Sequence, residues 1–203
     1  MSVPEGIIEN IIVFICLKKY GVFSTELIKL LYLIDLDYYR EQGEKLTGLN
    51  YKNYYYGPYS PDIELCLEKL YNKRILSPEI IITWTGRKGN FIKPNVKENA
   101  IELSQETKGF IEKAIKRYGR MRFSDLVTYS KSTIPYLHSD FNEDIDFEND
   151  DLIELIAKKE NKETSEIATE IICNDEKLIS LFNEAEAEIK GLNIVSSFKD
   201  KNF

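Results

Sequence analysis

The sequence predicts a mainly α fold with a small β element (α+β): a helical domain with a Tyr-rich strand and a β-hairpin, followed by an acidic helical C-terminal extension. Three observations carry this. Apolar residues recur at helical spacing in several separated stretches. Two short runs of β-branched and aromatic residues, near 50–56 and 80–93, are flanked by turn residues and lack helical spacing. Charge is divided: residues 1–138 hold 20 Lys and Arg against 16 Asp and Glu, whereas residues 139–203 hold 7 against 18. A mildly basic body is therefore followed by an acidic tail. The expected organisation is a domain over 1–138, an acidic linker over 139–151 and an acidic helical extension over 152–203, which can pack on the first domain.

Pro4 to Tyr20 reads as a helix, with Ile7, Ile8, Ile11, Ile12, Ile15 and Cys16 at helical spacing and Gly21 as its stop. Ser24 is placed to cap a second helix, and Phe23 and Ile28 to clamp its entry. Leu27, Leu30, Leu31, Ile34 and Tyr38 form its apolar stripe, and Gly43 ends it. Asn50 to Tyr56 reads as a strand ended by Gly57-Pro58. Ser60 is a cap and Pro61 a first-turn residue for a third helix reaching about Arg74. Ile80 to Thr85 and Phe91 to Lys93 are strands of a hairpin with a basic tip. Ser104 caps a fourth helix to Tyr118, and Ser124 a short fifth that ends before Pro135. Helices are expected near 152–159, 164–173 and 176–189.

Composition narrows the chemistry. Cys16, Cys66 and Cys173 are odd in number and widely spaced, as expected of reduced thiols in a cytoplasmic protein. The opening residues lack the pattern of a secretory signal, and no run reaches the roughly 18 apolar residues that a membrane span needs. The single histidine, His138, stands in no nucleophile motif, and one His with scattered Cys does not make a metal site. No catalytic residue, metal or cofactor is expected, and the chain reads as a non-enzyme. Asp37 and Glu41 share a solvated helix face. Asp35 borders the apolar stripe and is expected to hold a backbone or Tyr donor.

Two surfaces stand out. Arg87 and Lys88 at the hairpin tip, and Lys113, Lys116, Arg117 and Arg120 on the fourth helix, are candidate phosphate contacts. The second surface is Tyr51, Tyr54, Tyr55, Tyr56 and Tyr59. In an extended segment Tyr54 and Tyr56 fall on one face, Tyr51 and Tyr55 on the other. Such a set either packs a core or forms a partner-binding surface. One strand with a turn cannot bury all of it. A net charge of −7 argues against nucleic acid as the main ligand.

Lys29-Leu30-Leu31-Tyr32-Leu33, Leu46-Thr47-Gly48, the Tyr-rich run and Tyr56-Gly57-Pro58-Tyr59-Ser60 together resemble the Panacea (SocA-like, phage-associated) antitoxin domain. The match is strong over Leu27 to Leu76 and weaker from Ser104 to Tyr136. Where the family commonly has Pro-Trp, this chain has Pro135-Tyr136. The resemblance implies a mainly helical domain that neutralises a cognate toxin by direct contact, and in some relatives an adaptor to a protease. It also implies that Lys29, Tyr32, Asp35, Thr47, Gly48, Gly57, Pro58 and Ser60 are structural. The alternative is a winged-helix DNA-binding regulator. Its recognition helix, Pro61 to Arg74, would lead with Asp62 and Glu64, which suits bases poorly.

Overall fold

The computed structural model describes residues 4–83, 86–151 and 155. Of the helices expected beyond residue 151 only Leu155 lies within that range, and residues 84–85 and Cys173 lie outside it. The fold is mainly helical with one small antiparallel sheet. The elements are α1 (Ile7–Lys18), β1 (Val22–Phe23), α2 (Ser24–Gln42), α3 (Pro61–Asn72), β2 (Leu76–Ile82), β3 (Lys88–Pro94), a 3-10 turn (Glu98–Ala100), α4 (Gln105–Tyr118), α5 (Phe123–Lys131) and α6 (Ile134–His138). No helix among the described residues is long and apolar enough to cross a membrane.

Two helices form the centre. Ile11 to Cys16 of α1 and Leu27 to Leu36 of α2 are buried all round, so each is wrapped by other elements. Cys16 and Cys66 are free and buried, and burial pushes the Cys16 thiol up to about 12. At the end of α1 the chain reverses through Tyr20 and Gly21, both at positive φ. A Cβ on Gly21 would sit 2.5 Å from the Phe91 ring. That reversal lays Val22–Phe23 against β3, making a third strand that the sequence did not announce. The sheet order is β1-β3-β2. Val22 faces Ile92, and the hairpin pairs Leu76 with Pro94 through to Ile82 with Lys88.

Several boundaries shift from those expected. Phe23, not Ser24, stands at the N-cap of α2 and packs edge-on against Phe91 at 5.1 Å, so the expected clamp with Ile28 gives way to a contact with the sheet. Ser104 does cap α4, accepting the Thr107 N–H. Ser124 lies inside α5, which starts at Phe123 with Arg122 before it. Pro135 does not merely end α5. It sits in the first turn of α6, where a missing N–H costs nothing. Ser60 holds the N-cap position of α3, yet its hydroxyl makes no capping bond and is buried without a partner.

The acidic stretch 139–151 is not a loose connection. Its backbone runs beside the Tyr-rich segment: Ile145 N–H donates to Tyr51 O at 2.7 Å, Asn53 N–H to Glu143 O at 2.9 Å, and Asn142 N–H to Asn53 O at 2.7 Å. Ile145 and Phe147 point into the core and are fully buried. The Phe147 ring stacks on Tyr51 at 6.0 Å and meets Tyr32 and Tyr39 edge-on at 5.5 and 5.7 Å. Arg40 holds Asp150 in a bidentate pair at 2.6 and 2.9 Å. The carboxylates around these apolar residues stay in water, which reconciles an acidic sequence with a packed segment.

Phe147→Ala is expected to lower stability by about 3–5 kcal/mol, the range for emptying a buried aromatic site. A urea midpoint equal to that of the native chain would show that the segment does not belong to the core.

Candidate functional site

The site begins with two charged residues on the buried helix α2. Lys29 and Asp35 are 2% and 0% exposed, and an ionisable group out of water needs partners. Both find them in the long connection between α2 and α3. Asp35 accepts the Thr47 N–H at 2.8 Å, the Thr47 hydroxyl, and the Tyr51 hydroxyl at 2.7 Å. Thr47 Oγ1 in turn accepts the Leu49 N–H at 3.1 Å. Burial pushes the Asp35 carboxyl up, and its three donors oppose that shift. The expected backbone and Tyr donors are thus both present, and the Thr47-Gly48 turn is their frame. Gly48 has φ +70°, a conformation that suits glycine.

Lys29 Nζ donates to Pro58 O at 2.5 Å. Burial, with the nearby Lys131 as the lesser cause, lowers its pKa from 10.5 to about 7. Gly57 precedes this contact at φ +88°, and a Cβ there would lie 3.2 Å from Lys131 Cγ and Ser130 Oγ and 3.4 Å from Lys29 Cε. Only glycine lets the turn close over the lysine. From the other side, Lys131 Nζ donates to Tyr55 O at 2.9 Å and the Tyr136 hydroxyl to Tyr54 O at 3.2 Å. Tyr32, one turn along α2 from Lys29, shares a hydrogen bond with Thr133 Oγ1 at 2.6 Å. Helices α5 and α6 thereby fix the same turn that α2 holds.

The Tyr-rich segment is therefore a tight loop and not the expected strand. Lys52 and Tyr59 pair across its base, at 2.7 and 3.0 Å, and Gly57 N–H closes a turn on Tyr54 O at 2.9 Å. With two backbone carbonyls tied to α5 and α6, the loop has no ladder of its own, and the alternation of faces expected of a strand does not apply. Tyr54, Tyr55 and Tyr56 are all exposed, by 41%, 64% and 75%. Tyr59 is half-buried and packs on Tyr54 at 5.6 Å. Tyr51 is a correction: it is wholly interior, its hydroxyl on Asp35 and its ring against Tyr32 at 5.3 Å, so it cannot touch a partner.

One aromatic residue was missed. Phe141, 52% exposed, stacks on Tyr54 at 5.6 Å and lies 4.5 Å from the Tyr55 ring. It completes an open patch of three rings with Tyr54 and Tyr55, which themselves meet at 5.2 Å. The signal was there: a phenylalanine flanked by Asp140 and Asn142 has no reason to be in a solvated linker.

The candidate phosphate contacts sit apart, on two elements. Arg87 and Lys88 are exposed at the β2–β3 turn, and Lys116 and Arg120 are exposed on or beside α4. Lys113 and Arg117 face acids of α2, Glu41 at 3.7 Å and Asp37 at 3.5 Å. Asp37 also accepts the Tyr118 hydroxyl at 2.8 Å. Part of the basic face is therefore already matched by carboxylates. His138 is buried with its Nε2 3.2 Å from the Asp151 carbonyl oxygen. Among the described residues no group of His, Cys, Asp or Glu is placed to hold a metal ion.

The model of the family described as "Antitoxin SocA-like, Panacea domain" matches residues 27–135, more than half of the chain. The chain belongs to that family. No curated protein and no solved structure shows a significant match.

Gly57→Val should lower stability by more than about 1 kcal/mol, because both its backbone conformation and its neighbours exclude a branched side chain. An unchanged urea midpoint would mean the turn relaxes freely. Lys29 gives a pH signature. With a folded pKa of about 7 against 10.5 unfolded, the unfolded chain binds more protons between those values, so stability rises with pH across that window and is flat below it. The gain from pH ~7 to ~9 should shrink in Lys29→Met; equal gains in both proteins would show that the lysine is not desolvated.

Proposed function

We propose that this member of the SocA-like Panacea antitoxin family is the antitoxin of a two-component pair, a non-enzymatic module that neutralises a toxic protein by binding it directly. The observation that carries the reading beyond the family is the three-ring patch of Tyr54, Tyr55 and Phe141. Tyrosine offers large rigid area at low entropic cost and is enriched among residues that dominate binding energy. Here the tyrosines stand on a loop whose backbone is held from three helices by Lys29, Lys131 and Tyr136. A surface ordered in advance loses little entropy when it docks.

Location supports the same reading. The buried motif residues brace the loop from beneath, while the Tyr55 and Phe141 rings lie largely in solvent. Under this reading the motif is the frame and the patch is the instrument.

The test is co-expression with the product of the neighbouring reading frame. If that product is toxic, the chain restores growth. Tyr55→Ala with Phe141→Ala should abolish rescue and weaken binding by about 30-fold or more, as for the loss of an anchor of about 2 kcal/mol. Circular dichroism should find the fold intact. Full rescue by the folded double variant would overturn the assignment of the patch, and salt-sensitive promoter binding without a protein partner would overturn the antitoxin reading.

A further inference from the structure

Behind the patch, the Tyr loop stands clear of α3 and leaves a groove of about 520 Å3. Tyr56 and Tyr59 line one side, and Glu64, Glu68 and Tyr71 of α3 the other. Glu64 and Glu68 are one helical turn apart on an exposed face, so their charges repel. Neither is in an ion pair with a cation among the described residues. The Tyr59 hydroxyl lies beside Glu64, and its pKa is raised by burial and then by that carboxylate. Among the described lining residues the basic group is Lys29, which is buried beneath the groove and bonded to Pro58 O. The opening is therefore lined by tyrosine rings and by two carboxylates that have no ion-pair partner among the described residues.

That combination has a definite complement. The negative face of an aromatic ring attracts a cation, most effectively a guanidinium that also stacks. Carboxylates beside the rings add ion pairing and a fork geometry that arginine matches. A phosphate or an acidic segment would meet two like charges. We infer that the groove receives an arginine-bearing segment of a protein partner, with lysine as the weaker substitute. That the segment belongs to the toxin rests on the function proposed above, whereas the preference for a cation does not.

A fluorescently labelled arginine–glycine repeat peptide is the probe, titrated by anisotropy against the full chain, with a glutamate–glycine repeat as its counterpart. The arginine peptide should bind and the glutamate peptide should not. Because the chain is acidic overall, the decisive comparison is between two pairs of equal charge change. Glu64→Gln with Glu68→Gln should weaken binding about tenfold, the size of two partly exposed ion pairs. Glu102→Gln with Glu106→Gln, remote in sequence and also exposed, should leave it unchanged. All four are isosteric surface changes, so thermal midpoints should hold. Equal losses in both pairs, or none in the first, would show diffuse charge attraction and overturn the inference. So would a dimer in light scattering that the first pair converts to monomer, since the groove would then belong to a second copy.

The growth assay separates this inference from the reading beneath it. If Glu64→Gln/Glu68→Gln abolishes peptide binding yet rescues fully, the groove takes no part in toxin capture and the patch alone suffices. If the wild-type chain rescues nothing while peptide binding depends on the groove, the antitoxin reading fails and the cation preference stands.

Discussion

A charge removed from water must be met wherever the chain can supply a partner, and α2 carries two such charges in its buried span. Lys29 and Asp35 lie too far apart along the helix to satisfy one another. Each instead recruits one end of the same connection. Asp35 gathers Thr47 and Tyr51 near its start, and Lys29 takes the Pro58 carbonyl near its end. Leaving either group unpaired would cost a few kcal/mol, comparable to much of a domain's net stability. The connection is thus held at both ends by the demand of the helix, and its middle is forced outward. The exposed tyrosines follow from that geometry and not from any preference of their own.

The second support is aromatic. Tyr32, Tyr39, Tyr51 and Phe147 meet mostly edge to face, which is the arrangement their ring quadrupoles favour. Two of these rings also carry hydroxyls that find partners inside, Tyr32 on Thr133 and Tyr51 on Asp35. Packing and polar satisfaction therefore converge on the same side chains. Burial raises both phenol pKa values, so these hydroxyls stay protonated and available as donors throughout the neutral range.

Much of the helical framework was legible because it rests on long apolar periods, and α1 to α4 appear close to where spacing put them. The role of Asp35 was also readable: a carboxylate beside an apolar stripe requires donors. Tyr51 and Tyr54 were not separable by sequence. Both are tyrosines in one run, and their opposite fates depend on a turn closed by Gly57 and on tertiary bonds to Lys131 and Tyr136. The two-residue strand β1 was invisible because so short a run has no period. Residues 139–151 were misread because charge dominated the composition and masked Phe141, Ile145 and Phe147.

The segment that the family model matches, 27–135, begins after α1 and stops before Phe147. It is not by itself a closed core: α1 covers one flank and the acidic strap another. The exposed patch inherits this division. Tyr54 and Tyr55 come from the matched segment, and Phe141 comes from outside it. Changing Phe141 alone would redraw the patch's outline while Ile145 and Phe147 stayed in the core, which lets the surface vary without disturbing the packing beneath it.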